Sequence, residues 1–138
     1  MLGGQRYISS ELTHFVGRGK PLLAGFETNA RIRAAQWKLL REHVARRYPA
    51  ARHLVVAGEF NTLDTEPLYQ VIRRGMVDAF EAAGTGRGAT FPSELTSPIP
   101  LVRIDYVFAS PGLTPRSAMV LPPAGSDHLA VRAVLGVP

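Results

Sequence analysis

The chain has 138 residues, 46% of them apolar, enough for one domain with a buried core and too many for an unfolded tail. It has no cysteine, which excludes a disulfide framework and a thiolate metal site, and no run of about 18 apolar residues that would span a membrane. A formal net charge of +5 favours anionic partners such as phosphates or nucleic acid, but 14 of the 16 basic residues are arginines scattered along the chain and are read mostly as solvated surface.

The first residues, MLGGQRYISSELTHF, carry no apolar signal-peptide core. A short strand is expected around residues 12–16, then a glycine-containing loop. The stripe Ile32, Ala35, Leu39 with Leu40 and Val44 beside it predicts a helix over residues 30–48, capped by Thr28 or Asn29 and ended by Pro49. Residues 54–57 are too short for a helix and rich in valine, so they read as a buried strand. Residues 66–74 suggest a short helix stopped at Gly75, with Asp64 or Thr65 as its cap. Residues 84–100 form a loop rich in Gly, Ser, Thr and Pro. Residues 103–109, 116–120 and 129–135 alternate as strands do. No repeat is present, and the order of elements indicates a single α/β domain with a mixed sheet.

Polar groups collect at the ends of these strands. Glu59 and Asn61 follow the first, in VVAGEFNTLD. Asp105 lies inside RIDYVF, on the face opposite Ile104, Tyr106 and Phe108. Asp127 and His128 stand in GSDHL, just before the last strand. Strand ends are where open sheets place ligand groups. Carboxylates, an amide and an imidazole converging there could bind a hard cation and activate water, and an aspartate beside a histidine fixes the imidazole's tautomer. Each residue also has a plain reading. Asp127 suits a Gly-Ser-Asp turn, Asp105 could pair with Arg103 or Arg132, Asn61 could cap a turn, and His128 could be a surface histidine.

GEFN, RIDYVF and GSDHLAV, in this order, resemble the three C-terminal motifs of the endonuclease/exonuclease/phosphatase superfamily, which has the deoxyribonuclease I-like fold. Thr90-Phe91-Pro92 resembles the element before its aspartate strand. Arg31 to Gln36 and Leu12-Thr13-His14-Phe15 resemble two of its earlier segments. The resemblance implies a metal-dependent phosphoester hydrolase working by in-line attack of water. Asn61 would hold the scissile phosphate and the water. Glu59, in place of the usual aspartate, would orient or deprotonate that water. Asp127 would contact the metal, with Glu59 as a second ligand. His128 would bind a phosphate oxygen, backed by Asp105, and His14 would be a candidate proton donor to the leaving group. Mg²⁺ is the expected ion, with Mn²⁺ as a substitute, because the donors are oxygens and an imidazole.

The family's N-terminal asparagine motif and glutamate-bearing strand have no counterpart in residues 1–30. The expected architecture is therefore the C-terminal half of a four-layer α/β sandwich, with a mixed, largely antiparallel sheet, as one partial domain over residues 1–138. One face of that sheet would be left bare, and a homodimer through it is expected. The substrate is a phosphoester, nucleic acid among the candidates. The alternative reading is a catalytically inactive remnant serving as a binding or interaction module.

Overall fold

Alternation around residues 104–109 sets the core. Ile104, Tyr106 and Phe108 are buried, whereas Asp105 and Val107 are half-buried on the other face. Successive strand side chains point to opposite faces, so this pattern commits one face to packing and frees the other. The computed structural model describes residues 19–49, 51–93 and 99–137, with side chains from residue 29 on. The described residues divide into two compact units after Gln36, and the core, the sheets and the polar strand ends belong to the second.

Helix α1 runs Gly19–Arg47, so it begins well before the predicted start and Thr28 and Asn29 are interior residues, not caps. Pro21 falls in its first turn, where an N–H donor is not needed. Strand β1 (Val55–Glu59) extends through Gly58, which places Glu59 within the strand. Helix α2 (Pro67–Ile72) is preceded by Glu66 at the cap position. Neither Asp64 nor Thr65 caps it; instead Glu66 Oε1 accepts a hydrogen bond from the Leu63 N–H at 2.9 Å. Strand β2 (Val77–Asp78) and helix α3 (Ala79–Ala83) had no signal in the sequence, because two strand residues cannot show an alternation. Asp78 caps α3, accepting from the N–H groups of Phe80 and Glu81 at 2.9 and 3.2 Å. Strands β3 (Asp105–Ala109), β4 (Thr114–Val120) and β5 (Val131–Gly136) complete the fold.

The strands form two antiparallel sheets where one was expected. The first has the order β1-β3-β2 and the second pairs β4 with β5. The free edge of β4 is met by Gly84 and Thr85, whose N–H donates to the Ala118 carbonyl at 3.0 Å, so it does not join β2 or β3. The class is α/β with antiparallel sheets.

The core is largely aromatic. Tyr106 and Phe108 stack at 5.3 Å, Phe60 meets Phe108 edge-on at 5.2 Å, and Trp37 meets Phe60 at 5.9 Å. Ile72 and Tyr69 close it from α2. Each such side chain contributes about 1.5–3 kcal/mol by burial. The other face of the first sheet is different: Val55 is 46% exposed and Ala57 is exposed, with Glu59 beyond them at the strand end. With apolar strand surface left bare, the chain is expected to self-associate. Sedimentation at tens of micromolar should show a dimer or larger species, and a clean monomer that binds no hydrophobic dye would contradict this.

Candidate active site

Register brings the acids together. In the β1–β3 ladder Glu59 lies directly opposite Asp105, so two carboxylates from distant parts of the chain share one sheet end on the exposed face. The loop before β5 brings the third group. His128 Nδ1 is 2.9 Å from Asp105 Oδ2, and its Nε2 is 4.0 Å from Glu59 Oε2, beyond hydrogen-bond length. An ionised carboxylate only accepts, so Nδ1 carries the proton and donates it in a hydrogen bond to Asp105 Oδ2, which leaves Nε2 as the nitrogen on the Glu59 side. Asp105 therefore pairs with His128 and not with Arg103 or Arg132.

The loop holding His128 is built by short-range chemistry. Gly125 has φ of 83°, a left-handed conformation that suits glycine, and it turns the chain into Ser126-Asp127-His128. The His128 N–H donates to Ser126 Oγ at 3.1 Å. Residues 90–93 brace the loop from outside. The Leu129 N–H donates to the Thr90 carbonyl at 2.8 Å, the Ser93 N–H donates to the Asp127 carbonyl at 2.7 Å, and Ser93 Oγ donates to the Ser126 carbonyl. The Phe91 ring lies against the imidazole, with centroids 4.8 Å apart. Phe91 is a site-wall residue that motif reading noted without assigning it a role. The signal available was its place in Thr90-Phe91-Pro92.

The site opens into a cleft of about 310 Å³ lined by Asp105, His128, Ser126, Ala57, Val107 and Val131, among others. Asn61 is exposed and left-handed, with φ of 49°, an uncommon value for a residue other than glycine and one that asparagine tolerates. Its neighbours are anchored firmly. The Tyr106 hydroxyl donates toward the Thr62 and Arg103 carbonyls at 2.8 and 2.9 Å, and Thr62 Oγ1 donates to the Phe60 carbonyl at 2.9 Å. Asp127 is exposed, and its carboxylate lies 3.5 Å from the Ser126 hydroxyl. Glu59, Asp105 and His128 thus stand together. Asn61 and Asp127 adjoin them in sequence, without a hydrogen bond to them among the described residues. His14 lies outside the described residues.

Glu59 and Asp127 are hard oxygen donors of the kind Mg²⁺ takes. Among the described residues, however, no three His, Cys, Asp or Glu side chains gather as a metal ion requires, so these residues alone do not fit a complete metal site. Also among the described residues, no helix is long and apolar enough to cross a membrane.

Behind the site lies a buried polar knot. Arg103 Nη1 meets Asp78 Oδ2 at 2.8 Å and its Nη2 meets Asp64 Oδ2 at 3.3 Å, while its guanidinium sits 4.7 Å from the Tyr106 ring centre. Burial works against its charge, but Asp78, with Tyr106 and Tyr69, holds its proton more firmly than usual. Burial raises both phenols above the ordinary tyrosine value. The hydrogen bond to Asp78 adds to the rise at Tyr69, and at Tyr106 the Arg103 charge opposes it. Tyr69 accordingly donates to Asp78 Oδ2, at 2.8 Å.

Comparison with known proteins gives this arrangement a family. A sequence profile described as "Endonuclease/Exonuclease/phosphatase family" matches residues 6–128. An endonuclease/exonuclease/phosphatase from Bacteroides vulgatus is 26% identical, with a TM-score of 0.66 over 77% of this chain and 44% of that one. A conserved protein of unknown function from Enterococcus faecalis is 23% identical, with a TM-score of 0.69 over 79% of this chain and 46% of that one. A mannosyl-6-phosphatase from Bacteroides thetaiotaomicron is 22% identical, with a TM-score of 0.66 over 77% and 46%. The chain therefore spans less than half the length of these solved structures. No curated protein matches it. The fold is the deoxyribonuclease I-like one, and the chain belongs to the endonuclease/exonuclease/phosphatase family.

Proposed function

We propose that the chain carries the phosphate-binding half of a metal-assisted phosphoester hydrolase. The observation that carries this reading is the Asp105–His128 pair at 2.9 Å, with Glu59 facing the free imidazole nitrogen from the paired strand. In this reading Asp105 fixes the Nδ1–H tautomer. His128 Nε2, when protonated, donates to a non-bridging phosphate oxygen and stabilises charge that grows there in the transition state. The 4.0 Å gap to Glu59 is one that a water can bridge, accepting from Nε2 and donating to the carboxylate, so Glu59 would orient the attacking water or take its proton. Asn61 would hold the phosphate from the loop that Tyr106 anchors. His14 is proposed as the leaving-group proton donor on the resemblance of its segment alone.

Mg²⁺ belongs to the proposal because Asp127 and Glu59 offer hard oxygens. When bound, it would supply positive charge at the phosphate. The rest of its ligands would have to come from outside the described residues. A family neighbour that is a mannosyl-6-phosphatase is consistent with a phosphate monoester as substrate, and a nucleic acid phosphodiester fits the same chemistry. That incomplete metal site favours a second reading, an inactive binding module.

The test is hydrolysis of bis(4-nitrophenyl) phosphate and 4-nitrophenyl phosphate with Mg²⁺ or Mn²⁺ present. His128→Ala and Asp105→Asn are each expected to lower the wild-type rate by on the order of a hundredfold. In the second variant a neutral amide replaces the carboxylate beside Nδ1, so nothing offsets the positive charge of the imidazolium whose Nε2–H meets the phosphate oxygen. Rates unchanged in both variants would remove His128 from the chemistry.

A further inference from the structure

The basic residues are spread along the chain, but their surplus is not. Residues 30–48 hold six of the 16, namely Arg31, Arg33, Lys38, Arg41, Arg46 and Arg47, against one of the 11 acids, Glu42. That surplus of five equals the formal net charge of the whole chain, so elsewhere ten basic residues balance ten acidic ones. The excess charge therefore belongs to the C-terminal part of α1.

Packing decides which way this part of the helix faces. Trp37 is buried, its ring edge-on to Phe60 in the core. Residues two apart lie on nearly opposite sides of a helix, so burying Trp37 turns Leu39 to solvent. Leu39 is 63% exposed, although the sequence places it on an apolar stripe, and Leu40 and Tyr48 are exposed as well. Two rows spaced four residues apart run along this outer face, Lys38-Glu42-Arg46 and Leu39-His43-Arg47. The Lys38 and Arg46 side chains are 79% and 71% exposed. Glu42 lies 4.0 Å from one and 3.7 Å from the other, in pairs too solvated to hold either cation firmly.

A face that mixes cations with bare leucine suits one kind of anion best. A nucleic acid would pair with the arginines but would leave Leu39 and Leu40 against phosphate, where apolar surface gains nothing. Tyr48 is not a free stacking platform, because the Arg47 guanidinium lies over its ring, 5.7 Å from the centre. The headgroup layer of an anionic bilayer takes both parts. Its phosphates and carboxylates hold the cations, while the leucines enter the boundary with the acyl chains. A helix bound in this way lies in the plane of the surface.

We propose that the outer face of α1 docks the chain onto an anionic lipid surface. None of the residues assigned to the phosphate site takes part, so either idea can fail alone. The test is flotation of the whole chain on a density gradient, which lifts vesicle-bound chain and leaves aggregates behind. The vesicles are phosphatidylcholine alone, or phosphatidylcholine with about a third phosphatidylserine. Binding is expected only to the second, and it should weaken as salt is raised. Arg46→Gln with Arg47→Gln should weaken it on the order of twentyfold, and Leu39→Ser about tenfold. Glu42→Gln should strengthen it about fivefold, a gain that no loss of folding can produce. No binding to the anionic vesicles would overturn the proposal, as would Leu39→Ser binding them like wild type. Tighter binding to a short DNA duplex than to the vesicles, unaffected by Leu39→Ser, would assign the face to nucleic acid and overturn it too.

Discussion

With saturating Mg²⁺, the 138-residue chain is expected to hydrolyse an activated phosphodiester on the order of a thousandfold more slowly than a full-length member of its family. The chain spans 44–46% of the solved relatives, and among its described residues the acids near the cleft do not assemble a metal cage. Asp105 is committed to His128. That leaves Asp127 and Glu59, and affinity for a hard cation rises with the number of carboxylates and the rigidity of the cage. Losing the ion removes charge stabilisation worth several kcal/mol. The measurement is initial rate per chain beside a full-length relative, with Mg²⁺ titrated through the millimolar range. A rate equal to the relative's, and lost in His128→Ala, would show that the chain completes its own metal site, through a second copy or through residues outside those described.

Arg103→Ala is expected to be the most damaging single substitution to stability, by about 3–5 kcal/mol. Asp78 is fully buried at the side chain and Arg103 is 11% exposed there, so removing the guanidinium leaves a carboxylate in a low-dielectric site with only Tyr69 and the α3 N–H groups to hold it. For a chain of this size the thermal midpoint should fall by about 10–20 °C. Arg103→Met together with Asp78→Asn should recover much of the loss, because it removes both charges. A fall of only a degree or two in Arg103→Ala would mean that solvent already reaches the pair. The same knot gives an alkaline limit. The phenols of Tyr69 and Tyr106 have raised values in the folded state, so the stability they lend is whole below the ordinary phenol range and is lost as pH climbs through the raised values.

The alternating core strand, the family and the polar strand ends were all legible along the chain. Ile104, Tyr106 and Phe108 had to share one face because strand side chains alternate, and their burial follows from that period alone. The motifs at 58–61, 103–108 and 125–131 could be read because they are local, each built from residues within one turn or strand. Local pattern also misled at the ends of elements. Glu59 reads as lying beyond its strand, since glycine and glutamate are poor strand formers, yet the β3 ladder carries the strand through both.

How these pieces meet is a property of the folded chain. Asp105 had three candidate partners in the sequence, His128, Arg103 and Arg132, and nothing local chooses among them. The choice comes from Asp78. It sits on a two-residue strand that no pattern could reveal, and it draws Arg103 to the core side. With Arg103 engaged there, Asp105 is left on the open face for His128, which the 90–93 segment braces through bonds spanning more than thirty residues. The single predicted sheet became two for a similar reason: Gly84 and Thr85 occupy the edge of β4, and backbone groups at an edge pair with whatever segment the fold delivers. Pairings between segments far apart in the chain depend on which partners are satisfied elsewhere, and that information exists only once the chain has folded.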